Sequence, residues 1–309
     1  MRHLAKFIVS WFLVIDAFTT ASAQEINASD LLHHVATLSA DSLAGRQTGT
    51  IGAAKARAYI IQQFKRIKLE PVFANFEQKF EFPIIQNSQN VIVTGCNLIG
   101  KISGKRKIGT ILISAHYDHL GIMDGQIYNG ADDNASGVAA LLEIAHYFSQ
   151  NQPGHDFVFC AFDAEEQNFA GSKYFVANRP FSIKSIDLNV NLDMISINPV
   201  KTLYIAGAFH YPFLETLLRD QVNSEKAIKV VWGHDKPELG KDDWTFLSDH
   251  AAFHRDHIPF LYFGVEDHQH NHKPSDIFEN INQDFFLEAS EFILSSLVVI
   301  DNKFVKNMH

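Results

Sequence analysis

Cysteine is scarce in this chain. Only Cys96 and Cys160 occur among 309 residues, and both lie in apolar, strand-like segments. Buried free thiols are the ordinary expectation at such positions, although a disulfide between the two is compatible with the sequence. We therefore assign neither cysteine a functional role.

Basic residues are also in the minority, and they are not clustered. Lysine and arginine total 26 against 35 acidic residues, which gives a formal net charge of −9. Without a block of basic side chains, the sequence argues against a nucleic-acid-binding surface and against an anionic-membrane partner. Internal repeats, low-complexity tracts and a Pro-rich or Ser-rich linker are lacking as well, so one domain over residues 24–309 is the simplest organisation.

The N-terminal apolar stretch is too short, and too interrupted by polar residues, for a membrane span. Basic and histidine side chains within positions 2–6 precede the apolar residues 7–17, and small residues end the segment at Ala23. This order is typical of a secretory signal peptide cleaved after Ala23; a buried amphipathic helix is the alternative. We therefore predict a secreted or periplasmic mature protein without a stable membrane anchor.

Short β-rich runs alternate with helical stretches along the mature chain. This alternation favours an α/β fold in which helices flank a mostly parallel central sheet. Strands are expected over residues 73–82, 91–102 and 110–115, and helices over residues 28–36, 52–67, 137–148, 171–177 and 284–299. Such sheets place their active sites at the carboxyl ends of the strands.

Four apolar runs lead to potential metal ligands. The residues that follow these runs are His116 and Asp118, Glu165 and Glu166, Asp193, and His272. A further acidic segment, residues 129–137, contains Asp132 and Asp133 and opens a helix with apolar periodicity. Histidine and carboxylate are ligands that zinc uses, and more than four of them suggest two ions that share a bridging carboxylate. The pattern predicts a metal-dependent enzyme.

Most of these elements, taken alone, have a simpler explanation. His116 and Asp118 point to the same side of an extended segment, so Asp118 can orient the His116 ring toward a metal, but a surface pair at a strand end also fits. Glu165 and Glu166 are compatible with a solvated helix start. Alternatively, one of them binds a metal and the other acts as a general base. Asp193 ends a largely apolar run, where a buried carboxylate needs a cation, a proton or hydrogen-bond donors, so metal ligation is favoured there.

Five short motifs follow one another along the chain. They are His116-Tyr117-Asp118-His119, the segment from Gly130 to Gly137, Phe162-Asp163-Ala164-Glu165-Glu166, Asn191-Leu192-Asp193-Met194 and His272-Lys273-Pro274-Ser275-Asp276. In this order they resemble the motifs of the two-zinc bacterial aminopeptidases in the zinc-dependent exopeptidase superfamily. Residues 43–50 and 248–253 also resemble its secreted bacterial members, so the similarity spans about residues 30–300.

The resemblance implies two Zn²⁺ ions and a role for each motif. It makes Asp133 the bridging carboxylate and Asp132 its non-ligand neighbour. The other implied roles are His116 and Asp193 at one zinc, Glu166 and His272 at the other, Glu165 as general base and Asp118 as the residue that orients His116. The Asp133-Asn134 peptide bond is expected to be cis, as is common in the family.

The resemblance further implies peptide substrates with a free N-terminus, from which the N-terminal residue is removed. His272 is preferred to His270 as the last ligand because only His272 precedes the Lys-Pro-Ser-Asp element. His250 is a candidate for holding the oxyanion or the substrate, and a packed loop histidine is an equal alternative.

Three other functions use related scaffolds. A carboxypeptidase or dipeptidase differs in the substrate terminus that the loops recognise, and these loops show no basic residue dedicated to a carboxylate. A glutaminyl-cyclase-like transferase uses one zinc and departs from the Asp-Asn-Ala-Ser-Gly and paired-site pattern kept here. A non-catalytic binding module is expected to have lost ligands, whereas all five ligand positions and the base are filled in this chain.

Overall fold

The computed structural model describes residues 26–86, 89–183 and 185–304. The predicted signal peptide lies outside the described residues, so its cleavage and the secretion of the protein stay predictions. Within the described ranges, the structure contains no helix that is both long and apolar enough to cross a membrane.

Eleven strands occur in the described residues. In chain order they are β1 (Glu70–Pro71), β2 (Glu77–Gln86), β3 (Gln89–Ile102), β4 (Thr110–His116), β5 (Gly121–Met123), β6 (Gln126–Tyr128), β7 (Asp156–Phe162), β8 (Leu188–Leu192), β9 (Thr202–Ala206), β10 (Lys229–Trp232) and β11 (Phe260–Gly264). Nine of them form one sheet in the order β1-β3-β7-β4-β8-β11-β9-β10, with β2 paired to β3. Strands β5 and β6 form a separate two-stranded sheet.

The four central strands of the large sheet, β7, β4, β8 and β11, are parallel to one another. This confirms the expected α/β fold, with one refinement: β3 joins β7, and β9 joins β11, in antiparallel orientation. Strand β8 is buried along its whole length, and β4 and β7 are buried apart from their first residue. Continuous burial is what a parallel strand covered on both faces requires.

Seven α-helices lie within the same described ranges. They are α1 (Ala28–Leu38), α2 (Ile51–Ile67), α3 (Gly137–Gln150), α4 (Ala170–Ala177), α5 (Phe213–Ser224), α6 (His250–Arg255) and α7 (Gln283–Lys303). The five expected helices are confirmed. The expected strand start at residue 73 is wrong, because residues 74–76 form a short helical turn and β2 begins at Glu77.

The alternation of side chains along β7 shows how the core is divided. Phe157 and Phe159 face the larger apolar cluster, which α1, α2, α3 and α7 cover, whereas Val158 and Phe162 face a smaller cluster with α4 and α6. Successive side chains of a strand point to opposite faces, so one apolar run serves both layers. Both cysteines are buried free thiols.

Candidate metal centre

The carboxyl ends of the parallel strands bring the predicted ligands together. His116 is the last residue of β4, and Asp193 directly follows the neighbouring strand β8. The Nε2 atom of His116 lies 3.2 Å from an Oδ1 atom of Asp193. Glu165 and Glu166 reach the same edge from the loop that follows β7, on the other side of β4.

Among the described residues, two groups of side chains could each hold a metal ion. The first consists of His116, Glu165 and Asp193, and the second of His119, Asp133 and Glu166; within each group the ligand atoms lie within 4.8 Å of one another. Glu166 Oε1 and both ring nitrogens of His119 are buried without a hydrogen-bond partner in the described residues. Nitrogen and carboxylate oxygen atoms that converge in this way fit divalent ions such as zinc.

Asp133 belongs to the second group and also reaches His116 of the first. Its Oδ1 atom is 3.3 Å from His116 Nε2, and its Oδ2 atom is 3.0 Å from His272 Nε2. One carboxylate oxygen toward each group is the arrangement that a bridging ligand needs. Burial alone would raise the pKa of Asp133, but neighbouring histidines, His119 first among them, hold that pKa well below its ordinary value. The Asp133-Asn134 peptide bond is cis, as the resemblance implied.

Asp118 contacts His116 and also supports the glutamate pair. His116 Nδ1 lies 3.2 Å from the backbone carbonyl of Asp118 and 3.7 Å from its carboxylate, so the carbonyl is the nearer partner. The Asp118 carboxylate accepts the backbone N–H of Glu165 at 3.0 Å and that of Glu166 at 3.4 Å. Besides its predicted role toward His116, Asp118 therefore fixes the backbone of both glutamates.

Glu165 is almost completely buried, yet its side chain lines the cavity above the metal groups. Burial raises the pKa of Glu165 well above its ordinary value; His116 opposes that rise, and Asp193 adds to it. A carboxyl group whose pKa is displaced toward neutrality can both accept and return a proton, which is what a general base of a hydrolase must do.

The structure separates the histidines that follow β11. His272 Nε2 lies 3.0 Å from Asp133, although His272 is a member of neither three-residue group, whereas the Nδ1 atom of His270 lies 2.9 Å from the Ser275 hydroxyl. The choice of His272 over His270 as a metal ligand stays a prediction. His250 is fully buried behind the cavity wall, where its Nε2 donates to the Trp244 carbonyl at 2.9 Å.

Burial lowers the pKa of His250 to about 3, so its ring is neutral at physiological pH. Its ring centroid lies 4.8 Å from that of Tyr262, a residue of the cavity wall. A contact between His250 and the substrate stays a prediction; what the structure shows is packing beneath the wall formed by Trp244 and Tyr262.

Three residues near the centre were not predicted from the sequence. His119 follows Asp118 directly and belongs to the second metal group; its place in the first motif was the available signal. Arg46 is buried and donates to the carbonyls of Leu38, Tyr117, Asn129 and Gly130.

Asp276 is the third of these residues. It accepts the backbone N–H of Asp132 at 2.9 Å and that of Asp133 at 3.0 Å. The Asp132 carboxylate itself accepts hydrogen bonds from the backbone and hydroxyl of Ser196, and it lies 2.9 Å from His268 Nε2. The carboxylate oxygens of Asp132 are therefore occupied by contacts with protein donors, whereas the carboxylate of the neighbouring Asp133 faces the metal groups.

A cavity of about 290 Å³ opens above the two groups. Its apolar wall is formed by Met194, Trp244, Leu247, Tyr262 and Val265. Asp267 and Asn271 line it beyond the metal groups, and no lysine or arginine is among the described residues that line it.

A mixed sheet with two histidine–carboxylate groups at the ends of its parallel strands is the architecture of the zinc-dependent exopeptidase superfamily. The sequence matches Peptidase family M28 over residues 97–297, and the chain belongs to this family. It is 25% identical over 228 residues to Aminopeptidase YwaD of Bacillus subtilis, a match that covers 69% of this chain and 44% of that protein. The chain spans less than half the length of several curated relatives that it matches.

Solved structures share the fold at low sequence identity. A zinc aminopeptidase from Bacillus subtilis superposes with a TM-score of 0.70 and 16% identity, covering 88% of this chain and 95% of that chain. Glutaminyl cyclase from Porphyromonas gingivalis superposes with a TM-score of 0.71 and 18% identity, covering 89% and 99%. At these identities the comparison establishes the fold and does not separate a peptidase from a cyclase.

Proposed function

We propose that the protein is a two-zinc aminopeptidase that removes the N-terminal residue from peptides with a free N-terminus. The charge of the cavity carries this proposal. Two zinc ions would neutralise the four carboxylates of the metal groups, and Asp267 would add a further negative charge. A free α-ammonium group suits such a lining, whereas a substrate carboxylate would find no lysine or arginine among the described cavity residues.

In the proposed reaction, Glu165 transfers the proton and Asp118 positions Glu165. Zinc ions, when bound, would lower the pKa of a water molecule and polarise the substrate carbonyl. Glu165 accepts the proton of the attacking water on its carboxylate and passes it to the leaving amine. Asp118 holds the Glu165 backbone by accepting its N–H, so the carboxylate keeps its position at the cavity floor.

The apolar wall of the cavity indicates which side chain the enzyme prefers on the residue that it removes. Trp244, Leu247 and Met194 line the same cavity as the carboxylates and give it apolar surface. Burial of an apolar side chain gains about 25 cal/mol per Å² of surface. We therefore expect the enzyme to favour peptides whose first residue is apolar.

The test compares the products of three peptides by mass spectrometry. A tripeptide with an apolar first residue, its N-acetylated form and its C-amidated form are each incubated with the zinc-loaded protein. Loss of the first residue from the free and the amidated peptide, but not from the acetylated one, is the expected result. Release of the C-terminal residue would instead identify a carboxypeptidase.

A fourth peptide addresses the cyclase alternative. A peptide with N-terminal glutamine that loses ammonia without loss of a residue would favour cyclisation over hydrolysis. No change in any of the four peptides would contradict both enzymatic functions and leave a binding module.

We also propose that the enzyme acts outside the cytoplasm. The support is the charge and cleavage order of residues 1–23. The N-terminal residue of protein recovered from an expressing bacterial host tests this: cleavage should leave Gln24 first, and an intact N-terminus in the cytoplasmic fraction would contradict it.

A further inference from the structure

We propose that His119 is a protein ligand of the metal ion held by Asp133 and Glu166, in addition to His272. The second ion then has two histidine ligands, one buried and one exposed. This inference rests on the metal binding proposed above, but it does not depend on which peptide bond is cleaved.

The first support is the burial of unpaired polar atoms. His119 has 1% of its surface exposed, and no contact of its ring nitrogens in the described part of the chain has hydrogen-bond geometry, although Nδ1 lies close to Glu166. The Oε1 atom of Glu166, also buried, makes no contact of this geometry there either. An unsatisfied buried polar atom costs on the order of 1–3 kcal/mol. A cation bound between His119 Nδ1 and Glu166 Oε1 removes that cost for these two atoms.

The second support is the spacing of the atoms. Nδ1 of His119 lies 2.8 Å from Oε1 of Glu166 and 3.7 Å from Oδ2 of Asp133. Nε2 of His272 lies 3.0 Å from the same Asp133 oxygen and 3.6 Å from the same Glu166 oxygen. Ligands bound to one zinc ion at about 2.0–2.2 Å lie roughly 3–4 Å apart, so these four distances are close to those that a shared ion requires.

The third support is the fixed position of the His119 ring. Gly130 adopts a φ of +58°, and a Cβ at this position would lie 2.6 Å from two ring atoms of His119. The glycine therefore leaves room for the ring directly against the backbone. By contrast, the side chain of His272 is 53% exposed. Of the two histidines, His119 is therefore the buried and sterically confined one and His272 the exposed one.

The decisive measurement uses the unmutated protein. The protein is prepared with isotopically labelled histidine ring nitrogens and loaded with an NMR-active cadmium isotope in place of zinc, and metal–nitrogen couplings are recorded. One cadmium resonance should couple to two ring nitrogens and the other to one. Two resonances that each couple to a single nitrogen would overturn the proposal.

Variants give an independent readout through metal content. His119→Gln, His272→Gln and the exposed-surface control His33→Gln are compared by chelator competition, with circular dichroism to verify folding. Loss of His119 should weaken the affinity for the second ion by at least about 100-fold, while the first ion and the control keep wild-type affinity. Wild-type affinity for both ions in folded His119→Gln would contradict ligation.

The result also separates this inference from the proposed function. Protein that binds no divalent metal would overturn both. Protein that binds two ions with only His116 and His272 as nitrogen ligands would leave the aminopeptidase proposal intact and remove His119 from the site.

Discussion

Glu165 and Glu166 are adjacent in the chain, yet their carboxylates face different metal groups. Glu165 groups with His116, whereas Glu166 groups with His119. Because the Asp118 carboxylate accepts both backbone N–H groups, a single side chain fixes the dipeptide that serves both sites. Neighbouring residues thus take different roles through geometry rather than through chemical type.

Replacement of Glu165 by glutamine tests the general base. The amide keeps the shape of the side chain but cannot accept the proton, so kcat should fall by about 10²–10⁴-fold. Metal content should stay at the wild-type value, measured by elemental mass spectrometry on the dialysed protein. The matched control is Glu215→Gln on the exposed face of α5, which should keep full activity.

Two outcomes would contradict this assignment. Full activity of Glu165→Gln would remove the residue from the reaction. Loss of one metal ion together with activity would instead make Glu165 a ligand of the first group, a role that its distance from His116 and Asp193 also allows.

Arg46 does not line the cavity, but it donates hydrogen bonds to the backbone that carries the metal-binding motifs. Burial lowers the pKa of Arg46 to about 10, so it stays charged at neutral pH. Its guanidinium donates to the Tyr117 carbonyl at 2.8 Å and to the Gly130 carbonyl at 2.9 Å, next to the metal-binding motifs. The planar group reaches several carbonyls at once, which a single ammonium cannot do.

Arg46→Lys should therefore lower the free energy of unfolding by about 2–4 kcal/mol, because several buried carbonyls lose their donor. Urea unfolding followed by circular dichroism measures the change. Arg219→Lys, on the exposed face of α5, is the control and should be neutral. Equal unfolding midpoints for the two variants would show that the carbonyls find other donors.

At the scale of elements, the strand-end ligands were predictable because an apolar run followed by histidine or a carboxylate marks the end of a buried strand. The partners of Arg46 were not, because Tyr117 and Gly130 lie 71 and 84 residues away along the chain. The sequence analysis also missed α5, although Leu214, Leu217 and Leu218 have helical spacing there. It missed the short strands β9 and β10 as well, because their pairing depends on tertiary contacts. His119 lies past the end of β4, where strand alternation no longer predicts direction.

The C-terminal helix α7 carries an acidic side chain where the helix dipole disfavours one. Asp301, in its last turn, accepts the backbone N–H groups of Gly154 and His155 and pairs with the His155 ring at 2.8 Å. Burial raises the pKa of Asp301, but the His155 contacts and the Gly154 N–H outweigh burial and lower it below its ordinary value. Asp301 thus ties α7 to the turn that leads into β7.

Asp301→Asn should cost about 1–3 kcal/mol of unfolding free energy at neutral pH, because charge-assisted hydrogen bonds are lost. A depressed pKa contributes stability that is present above the unfolded-state pKa of about 3.9 and is lost as pH falls through the folded-state value. The difference from wild type should therefore shrink below about pH 4. Thermal unfolding across pH measures this stability difference, with the exposed α5 variant Asp220→Asn as control. A difference that does not change with pH would contradict a stabilising role for the negative charge of Asp301.

At the scale of the whole molecule, carboxyl groups gather beneath one edge of the sheet. Besides the metal groups, Asp163, Asp249 and Asp276 are buried there. Burial raises the pKa of Asp163 and Asp276 to about 6 and that of Asp249 to about 7. The fold therefore confines many carboxyl groups in a small volume, where bound cations would offset their negative charge.

Removal of metal should consequently destabilise the entire protein, and more so at higher pH. Carboxyl groups whose folded-state pKa is raised contribute stability that is complete below about pH 4 and is lost as pH rises through about 6 to 7. Metal binding gains strength over the same range because its ligands must be deprotonated. Free zinc at 1,000 times the dissociation constant stabilises each site by about 4 kcal/mol.

The melting temperature of zinc-loaded protein should thus exceed that of chelator-treated protein by a margin that grows from pH 6 to pH 8, measured by scanning calorimetry. A margin that is constant or shrinks with pH would show that the buried carboxyl groups are stabilised by the protein itself and not by the ions.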